Sequence, residues 1–97
     1  MRLEFHSLAS SDVSRIMDYY ENAGGPELAD EFYAELWSYI DKAIESPEAY
    51  AIRARDIRRV NLERFPFHFL FRIVDDQVRI LAVRHHRRRP ALATHRR

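Results

Sequence analysis

Two hydrophobic periods run along this chain, and the change from one to the other divides it into a helical first half and a stranded second half. Arg2 to His6 alternates, with Leu3 and Phe5 inward and Arg2, Glu4 and His6 outward, which predicts a short strand. Val13, Ile16, Met17 and Tyr20 then fall at i, i+3, i+4 and i+7, one apolar stripe on a helix whose Asp12, Arg15, Asp18 and Glu21 face water. Ser10 or Ser11 is placed to cap that helix, with Asp12 complementing the dipole at its start. Gly24-Gly25-Pro26 stops it and opens a second, because glycine accepts a left-handed exit and proline suits a first turn. The second helix is expected from Pro26 to Glu45. Leu28, Ala29, Phe32, Leu36, Tyr39, Ile40 and Ala43 form its stripe, Trp37 and Ile44 its flank, and Ser46-Pro47 its end.

After residue 56 the period becomes two. The segment 48–56 lacks a pattern and is read as a loop, and Ile57 to Glu63 as a strand with Val60 and Leu62 on one face. Arg64 to Pro66 turns, since Pro66 cannot donate to a central ladder. Phe65, Phe67, Phe69, Phe71 and Ile73 then share a face. The strand Phe67 to Val74 carries His68, Leu70, Arg72 and Val74 on its other face, a half-polar mixture that suits a central strand. Asp75-Asp76 turns the chain into Val78 to His85. The expected fold is α+β, in the order β-α-α-β-β-β, a helical hairpin packed on a mostly antiparallel four-stranded sheet.

Composition bounds this picture without changing it. Ninety-seven residues, 46% of them apolar, make one domain with a packed core, read as structured over 1–91 with a flexible basic tail at 92–97. No run approaches the roughly 18 apolar residues that span a bilayer, and the start MRLEFHSLAS has no h-region. The absence of cysteine excludes disulfides and thiolate metal sites and fits a cytoplasmic location. Charge does change the picture. Residues 1–47 hold ten acids against Arg2, Arg15 and Lys42, a net of −7, so the remainder carries +8 of the total +1. A basic second half suits an anionic partner.

The ordered elements DVSRIMDYY, FYAELWSYIDKAIESPEAY, IRRVNLERFPFHFLFRI and VRILAVRHHRRRP carry a further message. Together they resemble the RelE/ParE superfamily of toxins from bacterial type II toxin–antitoxin modules, over about residues 1–91. The RFPF turn, the RILAV strand and the ending made by His85, Arg88 and Pro90 are the most specific parts. The resemblance implies a growth-inhibiting protein neutralised by a cognate antitoxin, with a toxin–antitoxin hetero-oligomer possible and no cofactor. RelE-like members cut messenger RNA on the ribosome, whereas ParE-like members poison DNA gyrase; a gyrase-type toxin is expected here, with a ribosome-dependent mRNA endonuclease or a non-toxic, degenerate binding member as the alternatives.

Attack by a ribose hydroxyl needs a base, a phosphate-binding cation and an acid. His85, His86 and Arg88 are the candidates for that catalysis. Arg58, Arg59, Arg64, Arg84, Arg87, Arg88 and Arg89 are the candidates for binding phosphate or a protein target. Two departures favour the ParE-like side. His68 stands where an arginine often follows the aromatic of the third strand in RelE-like proteins, and no tyrosine follows Tyr50. His85 and His86 are adjacent, so on a strand they point to opposite faces and do not chelate one metal. His6 and His95 are read as solvated, His68 as a hydrogen-bonded residue outside the chemistry, and no metal site is expected. Tyr33, Trp37 and Tyr39 are read as core or flank, and the resemblance implies that a groove between the helical hairpin and the sheet seats an amphipathic antitoxin segment.

Overall fold

The computed structural model describes residues 1–87. The apolar stripes of α1 (Ser7–Gly24) and α2 (Pro26–Glu45) close onto the phenylalanine face of a sheet made by β1 (Arg2–Phe5), β2 (Ile52–Ala54), β3 (Ile57–Asn61), β4 (Phe67–Val74) and β5 (Gln77–His85). The strand order is β1-β5-β4-β3-β2, antiparallel throughout except for the parallel β1–β5 pair. The α+β class, the helical hairpin and the central place of β4 are as expected, and none of the described helices is long and apolar enough to cross a membrane. The readings placed on Arg88, Arg89 and the 92–97 tail lie outside the described residues.

The sheet has five strands where four were expected. The added strand, β2, lies inside the segment read as a loop, after a short 3-10 turn at Pro47–Ala49. All three of its residues are exposed, because it sits at the sheet edge and buries neither face. A strand with no buried face leaves no alternation in the sequence.

The core forms where the two periods meet. Phe32, Leu36 and Ile40 of α2 and Phe69 and Phe71 of β4 are completely buried. Each such side chain contributes about 1.5–3 kcal/mol relative to exposure. Phe32 meets Phe65 and Phe67 edge-on, with ring centroids 5.5 and 5.6 Å apart. Gly25 takes φ +87° between the helices, and its N–H closes α1 on the carbonyl of Glu21.

The start of α1 differs from expectation. The cap is His6, whose Nδ1 accepts the Leu8 N–H, so Ser10 and Ser11 lie inside the helix. Asp12 does not face water. It is 1% exposed, and its carboxylate accepts the Val83 N–H of β5 at 3.0 Å and a guanidinium N–H of Arg15 at 2.7 Å. The cause is topological: β1 pairs with β5 only as far as Phe5–Ile80, leaving an edge amide at Val83 that α1 crosses and satisfies.

Candidate functional site: the uncovered face of the sheet

Alternation along β3, β4 and β5 sends every second side chain away from the helices. The register pairs Arg59 with Leu70, Asn61 with His68 and His68 with Arg84, which places these polar groups on the uncovered face. They surround a small apolar cluster of Ile57, Leu70, Leu81 and Ala82. His86, in the turn after β5, folds back over the same face, its N–H bonded to the Pro66 carbonyl at 3.0 Å.

The centre of the site is a pair of stacked imidazoles. His68 and His86 lie parallel within 3°, with centroids 5.5 Å apart and Nδ1 atoms 3.3 Å apart. A guanidinium N–H of Arg59 stands 3.4 Å from the same Nδ1 of His86. Arginine can only donate, so that nitrogen of His86 accepts, and the roles between the two rings follow the tautomer of His68. Nε2 of His68 is buried without a protein partner among the described residues. Arg59 is fixed in turn by a 2.7 Å bond from Nε to the side chain of Asn61.

This crowding sets the protonation states. Burial, reinforced by Arg59, His86, Arg84 and His85, pushes the His68 pKa down to about 4. Burial, then Arg59 and His85, lowers His86 as well. Arg59 is lowered by burial and by Arg53. The face therefore presents arginine charge and neutral imidazoles, a surface that attracts anions and resists accepting protons.

The residues singled out from sequence separate into several places. Arg59, Arg84 and His86 gather on the uncovered face. His85 points to the helix side, edge-on to Phe67 at 5.3 Å, while His86, in the turn beyond β5, lies over the other face. Arg58 turns away from the patch and donates to the Tyr50 carbonyl at 2.7 Å. Arg64 is held at α2: it pairs with Glu31 at 2.6 Å, while Glu35 accepts the Arg64 and Phe65 amides at 3.1 and 3.2 Å. Arg87 is exposed, and its N–H donates to Nδ1 of His85. His68 and Asn61 are the parts that residue types alone understated, and the shared period of His68 with Arg84 was the signal that could have found them. Among the described residues no group of three or more His, Cys, Asp or Glu stands close enough to hold a metal.

A helical hairpin on one side of a mostly antiparallel sheet, with arginine and histidine on the other, defines the RelE/ParE class of small toxins. Residues 3–90 match the family model described as ParE toxin of type II toxin-antitoxin system, parDE. Toxin ParE2 of Mycobacterium tuberculosis is 31% identical over 85 residues, spanning 87% of this chain and 80% of that protein. Among solved structures, the chromosomal ParDE TA system from P. aeruginosa superposes with a TM-score of 0.78 at 26% identity, over 88% of this chain and 95% of that one. The isolated E. coli RelE toxin shares the fold, with a TM-score of 0.63 at 17% identity over 96% and 92% of the two chains. The chain belongs to the ParE toxin family of type II toxin–antitoxin systems.

Proposed function

We propose that this chain arrests growth as a gyrase-type poison and is held inactive by a cognate antitoxin. The observation that carries the reading is the family match over residues 3–90, since ParE-like members of the superfamily are the ones that act on gyrase. The site supports it. His85 and His86 stand on opposite faces of the sheet, and His68 and His86 are held away from protonation, which makes a poor acid–base pair for cutting RNA. Arg59 and Arg87 are the residues assigned to target contact, with Arg88 and Arg89 following in sequence, while Arg84, 6% exposed on the same face, contributes charge rather than contact.

The antitoxin is assigned to the cleft of about 450 Å³ between α1 and α2, where Phe5, Val13, Met17, Tyr33 and Trp37 offer apolar surface. An amphipathic segment laid there would cover it. Pairing with an antitoxin has counterparts among the solved neighbours: the P. aeruginosa one is a chromosomal ParDE TA system and the E. coli RelBE one a toxin–antitoxin complex.

Induced expression tests the target. Relaxed plasmid DNA and trapped gyrase–DNA complexes are expected, abolished by Arg59→Ala and suppressed by a short antitoxin encoded beside the gene. Codon-positioned cuts in transcripts, lost in His86→Ala, would establish the RelE-like nuclease instead.

A further inference from the structure

Beyond Ile80, β5 loses its β1 neighbour, and the open edge under α1 holds two adjoining chambers outside the uncovered face. The smaller, about 100 Å³, is lined by Arg15, Arg84 and His85 over Ile16, Phe67 and Val83. The larger, about 350 Å³, shares Arg15, Ile16, Phe67 and His85 and extends to Tyr19, Tyr20 and Pro66. One chamber is therefore lined by arginine and histidine side chains, and the other is walled by aromatic rings.

We propose that this edge binds a nucleoside monophosphate, with its phosphate in the small chamber and its base in the aromatic cleft. The donors face the right way for an anion. Arg87 N–H occupies Nδ1 of His85, so the neutral ring carries its proton on Nε2 and donates there. Arg15 gives Asp12 one bond at 2.7 Å, and its side chain stays 60% exposed, leaving guanidinium N–H groups for a ligand. The carboxylate at the site, Asp12, is 1% exposed and turned to Arg15 and the Val83 N–H; it offsets the Arg15 charge, so an anion is held mainly by the remaining N–H donors. The backbone adds to this. Phe67 directs its own N–H to Phe65 and its carbonyl to Leu62, so the Phe67–His85 pair is not hydrogen-bonded, and the His85 amide points outward along the same edge as Val83.

The base has a platform. Tyr19 is 65% exposed, supported edge-on by Tyr20 at 5.4 Å, although a tyrosine at that exposure buries nothing for the core. An exposed ring beside a cationic pocket is the arrangement on which bases stack while phosphate is held alongside.

Titration of the full chain with AMP, inorganic phosphate, adenosine and a short oligodeoxyadenylate, followed by amide NMR, tests the assignment. AMP is expected to shift Arg15, Tyr19 and His85 and to bind at least about tenfold more tightly than phosphate or adenosine alone, a difference of about 1.4 kcal/mol. Tyr19→Ala, at an exposed position, should reduce AMP to the affinity of phosphate and leave phosphate unchanged. Arg15→Gln should weaken both about tenfold, with Arg15→Lys, which keeps the Asp12 pair, recovering part of the loss. AMP no tighter than phosphate, binding indifferent to Tyr19, or binding by the oligonucleotide alone would overturn it. Arg84 reaches this chamber from the uncovered face, whereas Arg15, Tyr19 and His85, which the titration reads, lie outside the gyrase and antitoxin surfaces, so failure of their shifts leaves that reading intact.

Discussion

The two faces of the sheet are built from the same strands yet solve opposite problems. The helix-covered face stacks Phe65, Phe67, Phe69 and Phe71 against Phe32 and Leu36, and Asp12, at its edge, is held by two hydrogen bonds. The uncovered face buries only Ile57, Leu70, Leu81 and Ala82, then surrounds them with arginine and imidazole. Stability is concentrated on the first face and electrostatic potential on the second. Polar groups on the second face can therefore be exchanged without dismantling the first.

Removing apolar volume from the covered face should have the largest effect. Phe32→Ala is expected to lower unfolding free energy by about 3–5 kcal/mol, since the ring is wholly buried and touches Tyr20, Phe65 and Phe67. Urea denaturation measures it. A loss below about 1 kcal/mol would mean that the helical hairpin is not what holds the sheet.

Acid should weaken the protein through the uncovered face. His68 titrates at about 4 when folded and near 6.5 when unfolded, so the unfolded chain binds more protons across that window. Stability is then full above about pH 6.5 and falls as pH drops toward 4, by up to about 3 kcal/mol for that shift. His86 is lowered in the same direction, and Arg59, Arg84 and His85 supply the opposing charge. Urea midpoints compared between pH 7 and pH 4.5 should fall steeply in the native chain and much less in His68→Gln. Equal slopes would show that the buried imidazole is not the source.

Much of this division was readable in the sequence. The i, i+3, i+4 stripes located both helices, and the phenylalanine alternation located the covered face, because a residue buried on one side of a regular element must recur with that element's period. What escaped was set by neighbours distant in the chain. Asp12 sits in a helical pattern as a solvent residue does, and only the early end of β1 makes it the acceptor for a stranded amide 71 residues away at Val83. β2 left no trace because an edge strand with no buried face has no period. Strand parity predicts opposite faces for His85 and His86, although the strand ends at His85. The stacking of His86 on His68 depends on the Pro66 carbonyl holding the turn, which no local pattern encodes.

Asp12 joins the two faces at their edge, and its removal should have an intermediate effect. Asp12→Ala strands the Val83 N–H in a buried site, an expected loss of about 1–3 kcal/mol. Asp12→Asn keeps an oxygen for that amide and should recover much of it. Hydrogen exchange at Val83 would accelerate in the alanine variant and stay slow in asparagine; equal exchange in both would place the helix–edge contact elsewhere.

The smallest stability effect carries the sharpest test of the comparison. Arg64 is basic, exposed and close in sequence to the site, yet it lies on the helix side, paired with Glu31 and set over the Phe65 ring at 5.0 Å. An exposed ion pair of this kind contributes about 0.2–1 kcal/mol and is screened by salt, so Arg64→Ala should leave the fold and its denaturation midpoint nearly unchanged. If target contact is confined to the uncovered face, Arg64→Ala should also retain growth arrest, while Arg59→Ala loses it. Both variants remove one positive charge from the same basic half, so net charge cannot account for a difference between them; only the face can. Equal loss of arrest in the two, with both proteins folded, would mean that the target wraps around the RFPF turn and reads both sides of the sheet.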